Sequence, residues 1–95
     1  MRARKVDANQ RAIVGALRAA GCSVFVTSDV GCGFPDLVVG RHNYRGGSFT
    51  YLLEIKSSHK ASLTAEQRRF RAEWRGHYAI VWDVDTALIA VGIIK

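Results

Sequence analysis

The segment that most constrains the fold of this chain is an apolar, strand-like run that ends in Glu54-Ile55-Lys56. Residues i and i+2 of a β-strand share a face, so Glu54 and Lys56 project to one side and Ile55 to the other. Burying two charged groups is costly unless they are paired or hold a metal ion. A Glu-x-Lys pair alone also occurs on ordinary exposed strands. Here its position at the end of an apolar strand predicts a functional site.

A second acidic residue, Asp36, begins the next apolar segment upstream. Pro35 marks the start of a strand there, because its ring fixes φ and it lacks an N–H. The polar segment from His42 to Gly47 is typical of a hairpin turn, and such a hairpin brings Asp36 beside Glu54. Two adjacent carboxylates repel each other unless a cation lies between them. Mg²⁺ suits this position, since it prefers oxygen ligands and shares its shell with phosphates.

The remaining segments predict an α/β fold around these two strands. Hydrophobic periodicity predicts helices over 7–20 and 64–75 and a candidate last helix over 85–91, with capping boxes at Asp7–Gln10 and Thr64–Gln67. Strands are predicted over 23–27, 36–40, 49–56 and 78–82. The order is α-β-β-β-α-β, and the helical crossover to the last strand makes the four-stranded sheet mixed. The residues assigned to the core include Phe25, Tyr78 and Trp82, and Gly31 and Gly33 are expected to let the chain place Pro35-Asp36.

Length and charge limit the classes of protein that fit. The 95 residues are expected to form one domain over 1–95, and 14 Lys and Arg against 8 Asp and Glu give a net charge of +6, which suits a polyanionic partner. No apolar run approaches the roughly 20 residues that span a bilayer, and the N-terminus does not resemble a signal peptide. Cys22 and Cys32 lack metal-ligand spacing and are expected to be free thiols. A cytoplasmic location is therefore predicted, without a membrane.

The order of these motifs resembles the PD-(D/E)XK nuclease superfamily and, within it, the stand-alone VRR-NUC domains encoded by phages. The segments that carry the resemblance are Val6-Asp7-Ala8-Asn9-Gln10, Gly33-Phe34-Pro35-Asp36, Leu53-Glu54-Ile55-Lys56, Leu63-Thr64-Ala65-Glu66-Gln67 and Trp74-Arg75-Gly76. They extend over nearly the whole chain. The resemblance implies a restriction-endonuclease-like core with a central four-stranded sheet flanked by helices.

The resemblance also implies a set of site residues. Asp36, Glu54 and the carbonyl of Ile55 would bind Mg²⁺, for which Mn²⁺ would substitute, and Lys56 would be the catalytic lysine. Lys56 would orient or deprotonate the attacking water, or stabilise the charge that develops on phosphorus. No small-molecule cofactor is implied.

The sequence departs from the family on the first helix, where a glutamate often supplies a further ligand. Asn9 and Gln10 stand at that point and Asp7 is the only nearby carboxylate. The further ligand is therefore Asp7, an amide oxygen of Asn9 or Gln10, or absent. Asp7 and Gln10 equally fit a simple capping role.

Gln67 and the basic residues of the second helix also have two interpretations. Gln67 shares a helical stripe with Phe70 and Trp74, so it either reaches Lys56 and supports the site or merely caps the helix. The basic residues form either a phosphate-contacting surface or an ordinary solvated face; they are His59, Lys60, Arg68, Arg69, Arg71 and Arg75.

The function expected from the resemblance is metal-dependent hydrolysis of a DNA phosphodiester by an endonuclease. The expected substrate is branched DNA such as a four-way junction. A homodimer is expected to act on two strands of it. If a phage encodes the chain, the expected location is the host cytoplasm. The sequence leaves open whether DNA or RNA is cut. The alternative is a nucleic-acid-binding module that keeps the fold without catalysis.

Overall fold

The computed structural model describes the backbone of residues 2–95 and the side chains from residue 7 onward. Three helices and four strands follow in the predicted order. The helices are α1 (Arg2–Ala19), α2 (Ala65–Glu73) and α3 (Val84–Ala90), and the strands are β1 (Ser23–Val26), β2 (Leu37–His42), β3 (Ser48–Ile55) and β4 (His77–Val81). None of the described helices is both long and apolar enough to cross a bilayer.

The sheet has the strand order β1-β2-β3-β4. The first three strands are antiparallel neighbours, and β4 runs parallel to β3 after the crossover through α2. The predicted α/β class and the mixed four-stranded sheet are therefore confirmed. The predicted hairpin turn is formed at residues 43–47, where Asn43 Oδ1 accepts hydrogen bonds from the backbone N–H groups of Arg45 and Gly47.

The hydrophobic core lies between one face of the sheet and the helices α1 and α3. Alternate strand residues project into it, as the period of two requires. Its fully buried side chains include Ile13 and Leu17 of α1, Leu37 and Val39 of β2, and Leu53 of β3. The opposite face of the sheet carries Leu52 and Glu54, and α2 has no buried residue at all. The site is therefore on the less covered face.

The first helix begins earlier than the sequence analysis predicts. It starts at Arg2 rather than Asp7, so the predicted Asp7–Gln10 capping box is wrong and Asp7 lies inside the helix. The preceding residues are mostly good helix formers, which allows the helix to extend past the acidic residue. Gly21, with φ of +94°, ends the turn after α1 as expected.

Two further expectations differ from the structure. Phe25 was assigned to the core but is 70% exposed, because β1 is an edge strand and Phe25 faces away from α1. The second helix ends at Glu73, since Trp74 adopts an extended conformation with ψ of 131°. Arg75 therefore lies outside the helix and does not continue the stripe of Arg68 and Arg71.

Candidate active site

The start of β2 and the end of β3 bring the two predicted acids together. Asp36 immediately precedes Leu37, whose partner across the ladder is Leu53. The backbone N–H of Asp36 donates to the carbonyl of Leu53 at 3.0 Å, and Asp36 Oδ2 accepts a hydrogen bond from Ile55 N at 2.8 Å. Asp36 is therefore fixed beside Glu54 by both its backbone and its side chain.

The loop before β2 is held in place by a residue that the sequence analysis did not select. Thr27 follows β1, and its hydroxyl donates to the carbonyl of Pro35 at 2.8 Å while its N–H donates to the carbonyl of Asp36 at 2.7 Å. Gly31, Cys32 and Gly33 all have positive φ, and a backbone bond from Phe34 N to Gly31 O closes the turn. This geometry confirms that the glycines place Pro35-Asp36.

Glu54 and Lys56 are both buried, with exposed fractions of 3% and 5%. The Lys56 ammonium lies 4.0 Å from Glu54 Oε2. The Lys56 N–H donates to the carbonyl of Val81 at 2.9 Å, which ties the end of β3 to β4. The two charged groups therefore face the same side of the sheet and are removed from water together, so each depends on the other and on nearby polar groups for compensation.

Gln67 connects the buried acid to the buried base. Its Oε1 accepts from Lys56 Nζ at 2.7 Å, and its Nε2 donates to Glu54 Oε2 at 3.2 Å. The same Oε1 accepts from Thr64 N, while Thr64 Oγ1 accepts from Gln67 N, which completes the predicted capping box of α2. Both interpretations of Gln67 are thus combined in one side chain: it caps the helix and contacts the site.

The electrostatics of Glu54 are strongly perturbed. Burial, together with the negative charge of Asp36, raises the pKa of Glu54 to about 8, and the charge of Lys56 opposes this shift. Glu54 Oε1 is buried and no donor among the described residues reaches it. An acidic oxygen that is buried, unsatisfied and next to a second carboxylate has the character of a cation ligand.

The described side chains, from residue 7 onward, offer two carboxylates here and no third His, Cys, Asp or Glu that would complete a cluster. Asp7 is exposed on α1. Asn9 Nδ2 donates to the carbonyls of Trp82 (3.0 Å) and Lys56 (3.5 Å), so Asn9 ties α1 to this end of the sheet. Gln10 Oε1 instead accepts from the hydroxyl of Ser28. A remaining protein ligand would be the backbone carbonyl of Ile55 or the Asn9 amide oxygen, since Asn9 uses only its nitrogen in these bonds.

Tyr78 belongs to the site although the sequence analysis assigned it to the core. It is the ladder partner of Leu52 and lies on the same face as Glu54. Burial raises the pKa of Tyr78 to about 12, and the negative charges of Glu54 and Asp36 add to the shift while Arg71 opposes it. Its phenol therefore stays protonated beside the two acids. The position of Tyr78 beside the acids depends on how β4 pairs with β3 after the crossover. No local sequence pattern predicts that pairing.

The predicted basic residues are spread over α2 and the loop before it, and all are exposed. The charge of Arg71 lowers the pKa of Tyr78, so Arg71 lies on the same side of the sheet as Asp36 and Glu54. The guanidinium of Arg68 donates to the carbonyl of Leu63 at 2.7 Å. His59 lies with its ring centroid 5.8 Å from that of Trp82. Lys60 and Arg69 face solvent, and Arg75 follows the end of the helix.

Comparison with known proteins gives one informative match. No protein-family model and no curated protein sequence matches the chain. A solved structure described as a VRR_NUC domain is similar over 90% of this chain and 94% of its own, with a TM-score of 0.63 and 25% sequence identity. The chain is thus similar in fold, over nearly its whole length, to a VRR_NUC domain.

Proposed function

We propose that this chain is a metal-dependent nuclease that hydrolyses a DNA phosphodiester bond with water as the nucleophile. The observation that supports this most directly is the contact of the buried Lys56 and Glu54 with the half-buried Gln67, at the point where Asp36 enters the sheet. A nuclease needs positive charge and metal-binding oxygens at one position, because charge develops on the phosphate oxygens in the transition state.

The residues present fit a divalent cation. Asp36 and Glu54 would hold Mg²⁺ through their carboxylates, and Ile55 would hold it through its carbonyl, with Mn²⁺ as a substitute. The unsatisfied Oε1 of Glu54 is the atom that most clearly calls for such a partner. When bound, the ion supplies an acidified water and neutralises phosphate charge.

The remaining chemistry is assigned to Lys56 and the groups that hold it. Gln67 fixes the ammonium of Lys56 at 2.7 Å, so its position is set before any substrate arrives. From there Lys56 would orient the attacking water or stabilise the charge on phosphorus. The bond from Ile55 N to Asp36 Oδ2 keeps one oxygen of Asp36 occupied and leaves the other for a ligand.

We further propose an endonuclease that acts on branched DNA as a homodimer. The similarity to VRR-NUC domains supports the nuclease part, and the exposed basic residues on α2 support contact with phosphates. A chain with a radius of gyration of 12.8 Å has little surface for a duplex, and two copies would present two sites to two strands.

The test is cleavage of a supercoiled plasmid, a four-way junction and a linear duplex of matched sequence, with Mg²⁺ or Mn²⁺. The variant Lys56→Ala is expected to cut roughly 100- to 1,000-fold more slowly than the wild type, by analogy with losing one transition-state donor. Lys95→Ala, which removes an exposed lysine at the C-terminus, should cut normally. If the wild type cuts none of these substrates with either ion, the enzyme proposal fails.

One observation favours a second candidate, a binding module without catalysis. The described side chains bring only two carboxylates together at this position and form no group of three or more His, Cys, Asp or Glu residues. Such a module would bind DNA with a steep salt dependence but leave it intact. Equal DNA binding by wild type and Lys56→Ala, with no cleavage by either, would establish this candidate instead.

A further inference from the structure

The C-terminal end of α2 presents an indole that the core does not use. Trp74 is 43% exposed, although tryptophan is among the residues that lose most area on burial. The sequence analysis placed Trp74 on the inward stripe with Gln67 and Phe70, and those two are indeed partly covered. Trp74 directly follows the last residue of α2 and leaves the helical conformation, so its exposure needs a separate explanation.

The indole is nevertheless held rigidly. It stacks on Phe70 with ring centroids 5.7 Å apart and an interplanar angle of 16°, and Phe70 in turn meets the edge of Phe34 at 5.3 Å. Trp74 Nε1 donates to the carbonyl of His77 at 3.2 Å. A Cβ on Gly76 would lie 2.8 Å from Nε1, so the indole packs against the Gly76 backbone. Its polar group is satisfied, and what remains exposed is aromatic surface.

The distance from the exposed indole to the site corresponds to a few nucleotides of a nucleic-acid strand. Gln67 lies in the first turn of α2 and Trp74 directly follows its last residue, so the helical rise between the two residues is roughly 10 Å, or about three nucleotides of a stacked strand. Phe70 lies between them and packs on Tyr78, with ring centroids 6.1 Å apart. A strand whose phosphate lies at Glu54 and Lys56 therefore reaches Trp74 within a few nucleotides.

Two arginines and one exposed acid, Glu73, flank the indole in the chain, so the local charge is positive. Arg75 follows Trp74 directly, and Arg71 lies one turn before it with its charge felt by Tyr78; both arginines are exposed. An aromatic surface beside positive charge is the combination that binds single-stranded nucleic acid, because bases stack on the ring while phosphates meet the arginines. A continuous duplex offers no free base face for such stacking.

We propose that Trp74 is a stacking platform for an unpaired base of the substrate, about three nucleotides from the phosphate that is cut. The substrate class is then DNA with a single-stranded segment next to the cleavage point, such as a flap, a fork or an open junction, rather than continuous duplex. This inference rests on the proposed nuclease function and specifies its substrate.

The test is binding in EDTA, so that no substrate is cut. Three labelled DNAs are compared by fluorescence anisotropy: an oligo(dT) strand, a blunt duplex and a forked duplex. Trp74→Leu should weaken binding of the strand and the fork roughly 5- to 100-fold, the range for loss of one base stack, and change duplex binding less than about twofold. Trp74→Phe should recover most of the loss. Tyr44→Leu is the matched control, because Tyr44 is 91% exposed at the hairpin turn and far from the acids.

A measurement on the wild type alone covers the case in which Trp74→Leu does not fold. Tryptophan emission should be quenched by oligo(dT) and not by the blunt duplex. Equal quenching by both, equal loss of affinity for all three DNAs, or no loss at all would overturn the proposal. So would a change in oligomeric state caused by Trp74→Leu, since the indole would then belong to a contact between copies. Absence of cleavage by the wild type would instead defeat the nuclease proposal while leaving these binding results interpretable.

Discussion

Of the ionisable groups in the site, Glu54 has the environment least favourable to its charged form. Its raised pKa, about 8 against an ordinary 4.5, means that the folded protein holds a proton over this interval that the unfolded chain has released. Stability therefore falls as pH rises from 4.5 towards 8, because the unfolded state binds fewer protons there. Below pH 4.5 Glu54 is protonated in both the folded and the unfolded chain, so its ionisation does not destabilise the fold. Above pH 8 Glu54 is ionised in both, and the full destabilisation is present.

A pH series of denaturant unfolding in EDTA checks this. The wild type is expected to lose up to roughly 3–5 kcal/mol between pH 4.5 and 8, from the size of the shift and about 1.4 kcal/mol per pKa unit. Glu54→Gln should remove most of the slope, whereas Glu73→Gln, an exposed acid on α2, should leave it unchanged. A wild-type stability that rises over this interval would contradict the assignment of the raised pKa.

The same residue links pH to the proposed ion. A cation competes with the proton on Glu54, so Mg²⁺ should stabilise the wild type more at pH 8 than at pH 5. Thermal melting with and without Mg²⁺ measures this difference directly. Glu54→Gln should lose the stabilisation at both pH values. Equal stabilisation at pH 5 and pH 8 would show that the ion binds elsewhere.

At the level of single residues, sequence patterns identified the groups that carry charge. Asp36, Glu54 and Lys56 were predictable because a strand alternates its faces and a hairpin aligns its ends. Thr27 and Tyr78 were not, because their roles depend on which strands become neighbours. The capping box predicted at Asp7 and Gln10 is wrong, because an acidic residue followed three positions later by a glutamine also occurs inside a helix.

Among the elements, α2 depends on a close contact with the loop before Asp36. A Cβ on Gly33 would lie 2.9 Å from Gln67 N and closer still to the carbonyl group of Glu66, both of them backbone. Gly33 also has φ of +79°, which side chains rarely adopt. The loop that carries Asp36 and the helix that carries Gln67 thus meet backbone to backbone at Gly33.

Gly33→Ala is therefore expected to reduce both stability and cleavage, since α2 must move away from the acids. Gly31→Ala provides the matched control: its φ is also +79°, but a Cβ there meets nothing within 4 Å. Both variants should lose about 1 kcal/mol for the unfavourable φ. Only Gly33→Ala should cost more and lower cleavage at least about tenfold, as small displacements at an active site do. Equal effects of the two variants would exclude the packing explanation.

The ends of the strands follow from local sequence patterns, whereas the exposure of edge residues and the end of α2 depend on the assembled fold. Each strand was predicted to within two residues of its observed ends, because alternation and turn residues are local signals. The exposure of Phe25 was missed because a strand's position at the sheet edge is a property of the assembled sheet. The early end of α2 was missed because Trp74 leaves the helix to reach Phe70 and the carbonyl of His77.

For the whole molecule, the core and the site are stabilised unequally. Most buried core residues belong to α1, the sheet and α3, whereas α2 contributes none. Helix α2 is attached through the Gln67 bonds, the Gly33 contact and the Phe34–Phe70 pair. Elements with few buried contacts open at a lower free energy than the global unfolding. The site therefore loses Gln67 before the sheet melts.

Hydrogen exchange measured by mass spectrometry tests this unequal stability. Amides of residues 68–73 are expected to exchange at least about tenfold faster than those of Ile13 to Leu17 and of β3, because they open with α2 alone. Catalytic activity should likewise be lost on heating before the far-ultraviolet circular dichroism of the sheet changes. Exchange of α2 at the rate of β3 would mean that the whole chain unfolds as one unit.

The hairpin turn at residues 43–47 is separated from the acids by the full length of β2 and β3, about 20 Å at strand spacing. Its tip consists of exposed Tyr44 and Arg45, which contact each other and nothing in the core. Loop tips of this kind tolerate inserted sequence. A reporter peptide or a surface-immobilisation tag placed between Tyr44 and Arg45 would thus leave the sheet register and the catalytic groups intact.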